Sequence, residues 1–240
     1  MRVALITGGA RGIGRACAER LAADGLRVVV ADRAGAAQAA AEIGGETHAE
    51  EVDLADADQT VALAQRVLDC HGRCDVLVNN AAQLGRHELG ELDLKTWRRF
   101  EAVNLEAPFL LCAALVPAMA QRGEGRVVNI ISNTVWAPPG PGLLAYITTK
   151  AGLLGFTRAL AVEVGAQGVT VNAVAPGLTP TPGSESDTPA GAFAAVRSRQ
   201  AVDRALSPDD IAGAVSYLCS PAAGAVAGQA LRVDGGLVTL

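Results

Sequence analysis

Short β-branched runs bounded by turn residues alternate along this chain with Ala- and Leu-rich stretches whose apolar residues recur near the helical period. A parallel sheet covered on both faces requires that alternation, because its strands are continuously apolar and each crossover must travel back over the sheet. The pattern predicts strands at residues 2–7, 27–32, 47–52, 75–79, 126–131, 169–174 and 230–233. Helices are expected at about 12–24, 35–43, 56–71, 93–121, 144–166 and 208–219. The expected fold class is α/β, doubly wound, with a seven-stranded parallel sheet. No Pro/Gly/Ser linker divides the 240 residues, so residues 1–240 are expected to form one domain. Residues 177–204 break the alternation. There Thr179-Pro180-Thr181-Pro182-Gly183-Ser184 opens a polar excursion, with one or two short helices expected between Ala190 and Val202 and a substrate lid as its role.

The first predicted strand runs into Thr7-Gly8-Gly9-Ala10-Arg11-Gly12-Ile13-Gly14 and then into a helix. A glycine-rich turn at a helix N-terminus suits a pyrophosphate, which is attracted by backbone N–H groups and the helix dipole. The second strand, Arg27-Val28-Val29-Val30-Ala31-Asp32, ends in a carboxylate eighteen residues after Gly14. Asp32 can accept hydrogen bonds from an adenosine ribose and would repel a 2′-phosphate, which argues for NAD over NADP in a Rossmann fold. Arg11 and Arg33 weigh the other way, since either guanidinium can reach a phosphate.

Tyr146 and Lys150 stand four residues apart in a predicted helix and so share one face. A phenol ionises near pKa ~10 when unperturbed, and an ammonium one turn away favours the phenolate. Such a pair suits proton transfer beside a hydride.

Together these pieces resemble the short-chain dehydrogenase/reductase family over nearly the whole chain. Thr7-Gly8-x-x-x-Gly12-x-Gly14 matches its cofactor turn, and Asp53-Leu54 resembles its adenine-contacting pair. Asn79-Asn80-Ala81-Ala82 is similar to its NNAG segment, with Ala82 in place of glycine. The resemblance implies a catalytic set of Asn104, Ser132, Tyr146 and Lys150. Tyr146 would be the acid/base, and Lys150 would tune it and hold the nicotinamide ribose. Ser132 would hold the substrate oxygen, and Asn104, on a locally distorted helix, would join a water relay. Pro176-Gly177, with Thr179 and Thr181 beyond it, resembles the segment that contacts the nicotinamide and diphosphate, although Pro180 removes a backbone donor there. Ser132 precedes Tyr146 by one residue more than the family commonly shows, and a strict count selects Asn133. Ser132 is preferred because Gly125 to Ser132 aligns as the fifth strand and the Pro138-Pro139-Gly140-Pro141-Gly142 loop can absorb a residue.

A formal charge of −5 without a basic stripe argues against nucleic-acid or anionic-membrane partners and for small molecules. No signal-peptide pattern opens the sequence, no apolar run is read as membrane-spanning, and five cysteines suggest reduced thiols, so a cytoplasmic protein is expected. The Cys70 and Cys74 pair lacks a second Cys/His cluster to complete a metal site. Trp136, Gln83, Leu84, the Pro/Gly loop and apolar residues between 178 and 202 are expected to surround the substrate. The stretch Ser132 to Trp136 and the Tyr146 helix resemble secondary-alcohol dehydrogenases acting on arylalkanols, which implies a hydrophobic ketone or secondary alcohol. A 3-oxoacyl-carrier-protein reductase using NADPH is the alternative enzyme, and a dinucleotide-binding regulator without turnover is the alternative of another class. The broad apolar surface of the Tyr146 helix, with the Asn104 helix, resembles the family's dimer face. Val233 to Leu240 could add a second interface, giving a homodimer or homotetramer.

Overall fold

The structure, a computed structural model, describes residues 1–239, so Leu240 of the expected second interface lies outside the described residues. Seven parallel strands form one sheet: β1 (Val3–Thr7), β2 (Arg27–Asp32), β3 (Thr47–Glu51), β4 (Val76–Asn79), β5 (Gly125–Ile130), β6 (Val169–Pro176) and β7 (Ala230–Val233). Their order is β3-β2-β1-β4-β5-β6-β7. Every pairing is parallel, from Val3 opposite Arg27 to Pro176 opposite Val233. The strand order reverses between β1 and β4, and this is where an open α/β sheet leaves a crevice at the carboxyl ends of its strands.

The crossover helices are α1 (Gly12–Ala23), α2 (Ala36–Ile43), α3 (Ala57–His71), α4 (Leu94–Glu101), α5 (Ala107–Gln121), α6 (Leu144–Val164) and α9 (Pro208–Cys219). Two short helices, α7 (Pro182–Asp187) and α8 (Ala192–Arg197), occupy the polar excursion. Alternation along the strands divides the core in two. Val3, Leu5, Val29, Leu77 and Val127 face α3, α5 and α6, with Leu63, Leu111, Leu115 and Met119 among their neighbours. Ala4, Ile6, Val28, Val30, Val76 and Val78 face α1 and α9, which contribute Leu21, Ile211, Val215 and Leu218. Each such large aliphatic side chain contributes roughly 1.5–3 kcal/mol by leaving water. Four of the five free cysteines, Cys17, Cys74, Cys112 and Cys219, are buried among these layers.

The helix expected over 93–121 is three segments. Between α4 and α5, Ala102–Glu106 is π-helical, and this wider turn carries Asn104. The whole stretch Leu94–Gln121 is 28 residues and is long and apolar enough to cross a membrane, contrary to the expectation that no run would be. Its apolar character has a core role, since Leu111, Cys112, Leu115, Val116 and Met119 are buried against the sheet.

Candidate active site

The carboxyl ends of the strands open into a cleft of about 760 Å³. At its nucleotide end, β1 delivers Gly8 with φ +63° and Gly12 with φ +56°, backbone angles that favour glycine. A side chain on Gly14 would collide with the Gly8 carbonyl oxygen and the Asn80 amide, so the turn and the end of β4 meet at glycine-only distance. Thr7 fixes that meeting: its hydroxyl accepts from Asn80 N at 3.0 Å and Ala81 N at 3.1 Å. Asn80 Nδ2 returns bonds to the carbonyls of Thr7 and Gly8. Helix α1 then starts without a side-chain cap or an acidic residue in its first turn, whereas Asp56 and Asp93 cap α3 and α4. The first N–H groups of α1 therefore have no carboxylate competing with a phosphate.

Asp32 closes this end. Its carboxylate accepts from Ala10 N at 3.1 Å and Arg33 N at 2.7 Å. Arg11, Ile13, Arg33, Asp53 and Leu54 line the same region. Asp53 is partly neutralised by Arg99, whose Nη2 is 3.6 Å away. Ala82 also lines the cleft, and no non-glycine residue has positive φ among the described residues, so alanine serves where the family pattern has glycine. Each residue expected to hold the cofactor borders this one cleft, including Gly8, Gly12, Gly14, Asn80, Ala81, Pro176, Gly177, Thr179 and Thr181. The Thr179 hydroxyl is engaged with the Gly177 carbonyl, and Thr181 caps α7 through Ser184. These residues suit a dinucleotide: glycine for close approach, open N–H groups for the pyrophosphate and a carboxylate for the ribose.

At the head of the cleft, α6 presents Tyr146 and Lys150 together, with Lys150 Nζ 5.9 Å from the centre of the phenol ring. Ser132, just beyond β5, is buried, and its hydroxyl accepts from Thr134 N at 3.2 Å and Thr134 Oγ1 at 2.8 Å; its neighbours Asn133 and Thr134 line the cleft, whereas Ser132, expected there, does not. Asn133, the residue a strict count would select, instead points its buried amide at Asp234, with Nδ2 3.4 Å from Oδ2. The Lys150 ammonium is buried and donates to the Ile130 carbonyl at 2.7 Å. Burial pushes its pKa down to about 7. Burial also raises the Tyr146 phenol, and the Ser132 hydrogen bond only offsets part of that rise. In the protein by itself, burial is thus the larger influence on both groups.

Asn104 is fully buried. Its Oδ1 accepts from Gln83 N at 2.7 Å, and its Nδ2 donates to Gln83 O at 3.2 Å and to Thr149 Oγ1 at 3.0 Å. It therefore links the loop after β4 to the residue preceding Lys150. Two side chains not singled out from the sequence, Asn129 and Thr157, join Asn79 in holding α6 in place: Asn79 Nδ2 donates to Asn129 Oδ1 at 2.8 Å, and Asn129 Nδ2 donates to Thr157 Oγ1 at 2.9 Å. Their signal was polarity inside otherwise apolar strand and helix faces. Gln83, Leu84, Pro138, Pro139, Leu143, Leu178 and Val196 surround the open space beside Tyr146. Trp136 does not line it. The 3-10 turn Asn133–Val135 carries Trp136 toward the cluster of Ile131, Leu153 and Ala175, and the Arg232 guanidinium stacks 5.4 Å from its ring centre.

Comparison with known proteins agrees with this geometry. The family model described as enoyl-(acyl carrier protein) reductase matches residues 8–238. A 3-oxoacyl-[acyl-carrier-protein] reductase of Synechocystis sp. is 39% identical over 99% of this chain and 97% of its own. The cis-4-hydroxycyclohexanecarboxylate dehydrogenase of Sinomonas cyclohexanicum is 38% identical over 98% and 96%. Among solved structures, an actinorhodin polyketide ketoreductase with NADPH superposes with a TM-score of 0.91 at 36% identity, covering 98% of this chain and 97% of that one. The chain belongs to the short-chain dehydrogenase/reductase family and is an NAD(P)-dependent oxidoreductase that acts on alcohol and keto groups.

Proposed function

We propose that the protein interconverts a hydrophobic secondary alcohol and its ketone, with NAD(H) as the preferred cofactor. The observation that carries this reading is that Tyr146 and Lys150, from one face of α6, border a cleft lined beside them by apolar residues such as Leu84, Leu143 and Leu178. When bound, the dinucleotide supplies or accepts a hydride. Tyr146 gives a proton to the carbonyl oxygen in reduction and takes it from the hydroxyl in oxidation. Ser132 hydrogen-bonds the same oxygen and stabilises the charge that develops on it. Lys150, when protonated, favours the phenolate and holds the nicotinamide ribose. Asn104 keeps Gln83 and Thr149, and hence both walls beside Lys150, in register.

Asp32 supports the choice of NAD, since a carboxylate bound to the glycine turn stands where a 2′-phosphate would come. Residues 177–204 act as the substrate lid, in keeping with Thr181 packing on Gly12 and Leu84 meeting Gly183. The Sinomonas relative is named for a ring-borne secondary alcohol, which fits this substrate class. Tyr146 helix α6, with Leu144 and Val162 exposed, and α5, with Phe109 exposed, form the dimer face of a dimer or tetramer.

A panel of alkyl, aryl and cyclic ketones and alcohols, followed by nicotinamide absorbance with each cofactor, tests the reading. Turnover of simple ketones is expected, and silence across the panel refutes it. The Synechocystis relative favours a second reading, reduction of 3-oxoacyl groups on a carrier protein. Activity confined to carrier-bound thioesters would select that one.

A further inference from the structure

Ser132 has extended backbone, φ −156° and ψ 147°, and the residue before it is tied to the sheet by Ile131 N donating to Val174 O at 2.8 Å. The chain then turns at once. Asn133–Val135 form a single 3-10 turn with Ser132 as its N-cap. Val135 N on Ser132 O at 3.3 Å and Trp136 N on Asn133 O at 3.0 Å close it. The side chains of the turn leave in different directions. Val135 and Trp136 pack against the cluster of Ile131, Leu153 and Ala175, and Asn133 reaches Asp234. Thr134 stays half-buried at the wall of the cleft. The turn is held at both ends from the same strand, since Arg232 of β7 stacks on Trp136 and Asp234 follows β7 directly.

Thr134 therefore has a fixed place beside Ser132, and both of its donors are turned on the serine: N at 3.2 Å and Oγ1 at 2.8 Å from Ser132 Oγ. The Thr134 hydroxyl has no other hydrogen-bond partner among the described residues. A hydroxyl carries two acceptor lone pairs and one proton. With both lone pairs of Ser132 Oγ receiving donors, only its proton is left to bond a further oxygen. Each accepted bond also polarises the hydroxyl and strengthens that donation. The Thr134 N–H alone would cap the turn, and any residue but proline supplies it there. What threonine adds is the second donor. A valine would keep the branched shape, lose that donor and leave one lone pair of the serine open to water or to a substrate hydroxyl.

We infer that Thr134 is a positioning residue for the reaction: it commits the Ser132 hydroxyl to donating, and so aims the proton that stabilises charge developing on the substrate oxygen. The inference rests on the role given to Ser132 above and adds the residue that sets the polarity of that serine. Thr134 acts through Ser132 on an interaction that strengthens in the transition state. Its loss is therefore felt in kcat, with the binding of substrate and cofactor spared.

The test uses the whole protein and the ketone of the panel above that the wild type reduces fastest. Thr134→Val is expected to lower kcat and kcat/KM together by roughly tenfold, short of the ~10²- to 10³-fold that loss of an oxyanion donor itself costs. KM and cofactor affinity, the latter from fluorescence titration of the nucleotide, should stay as in the wild type. Thr134→Ser keeps the hydroxyl and should restore most of the rate. On a Ser132→Ala background, Thr134→Val should add less than about twofold, because its route to the substrate is gone. A wild-type kcat in Thr134→Val overturns the inference. So does a loss that Thr134→Ser fails to repair, or an equal loss with Ser132 already replaced. Each of these, beside a slow Ser132→Ala, leaves the dehydrogenase reading intact. Full turnover by Ser132→Ala overturns the role of that serine and this inference with it.

Discussion

The Lys150 ammonium lies 5.9 Å from the centre of the Tyr146 ring while its hydrogen bond goes to the Ile130 carbonyl at 2.7 Å. The lysine is therefore held by the sheet and offered to the phenol, and the two groups titrate in surroundings that disfavour charge on either.

If Tyr146 handles the proton, Tyr146→Phe should lower kcat by roughly 10²- to 10⁴-fold, the usual reach of general acid–base catalysis. Cofactor affinity, read by fluorescence titration of the nucleotide, should change little. Near-normal turnover in this variant would assign the proton to another group.

Burial depresses the Lys150 pKa to about 7. In the unfolded chain a lysine titrates near ~10.4, so between these limits the unfolded state binds the extra proton. Stability contributed by this site must then rise with pH from about 7 to about 10 and be lowest below 7, where the buried amine is forced to carry charge. The Tyr146 phenol, raised by burial, acts in the opposite sense only above its ordinary range. Urea unfolding of wild type and Lys150→Met across pH 6 to ~9.5 checks this: the difference between the two should shift in favour of wild type as pH rises. A difference independent of pH would mean that the amine stays charged.

Asn104→Ala removes the partner of the half-buried Gln83 N–H and one partner of the buried Thr149 hydroxyl. Leaving such groups unsatisfied costs about 1–3 kcal/mol. Chemical denaturation should report a loss of that size, together with a fall in kcat as the loop after β4 loosens beside Lys150. An unaltered midpoint would show that Gln83 finds another acceptor.

Replacing Asp32 by serine should raise the kcat/KM ratio of NADP to NAD by at least about tenfold. The carboxylate that repels a 2′-phosphate is lost, while Arg11 and Arg33 remain at the cleft to receive one. Steady-state kinetics with both cofactors decides it, and a wild type already favouring NADP would reverse the assignment of Asp32.

Much of the architecture was legible because each strand is a β-branched run that only a doubly covered sheet can bury. Thus β2 and β7 occupy the expected residues, and the other strands differ by a residue or two at their ends. The π turn at Ala102–Glu106 has no compositional mark in Ala-Val-Asn-Leu-Glu; it followed from family likeness alone, since its stability comes from Asn104 reaching Gln83 and Thr149 across the fold. Trp136 was misplaced for a similar reason. Its side chain is turned by the 3-10 turn before it and held under Arg232, 96 positions further along (232 − 136). Residue charge was visible in sequence, but only the assembled cleft shows that Arg99 is the arginine that faces Asp53.

The Asp234 carboxylate accepts the amide of Asn133 and the N–H groups of Gly236 and Val238, while its carbonyl receives Gln200. The Thr7 hydroxyl, which ties the glycine turn to the end of β4, draws only on Asn80 and Ala81. During ribosomal synthesis the two halves of the catalytic cleft are consequently completed at different moments: the phosphate-binding turn can assemble early, whereas the serine-bearing strand and the lid gain their common fastening only when Asp234 emerges.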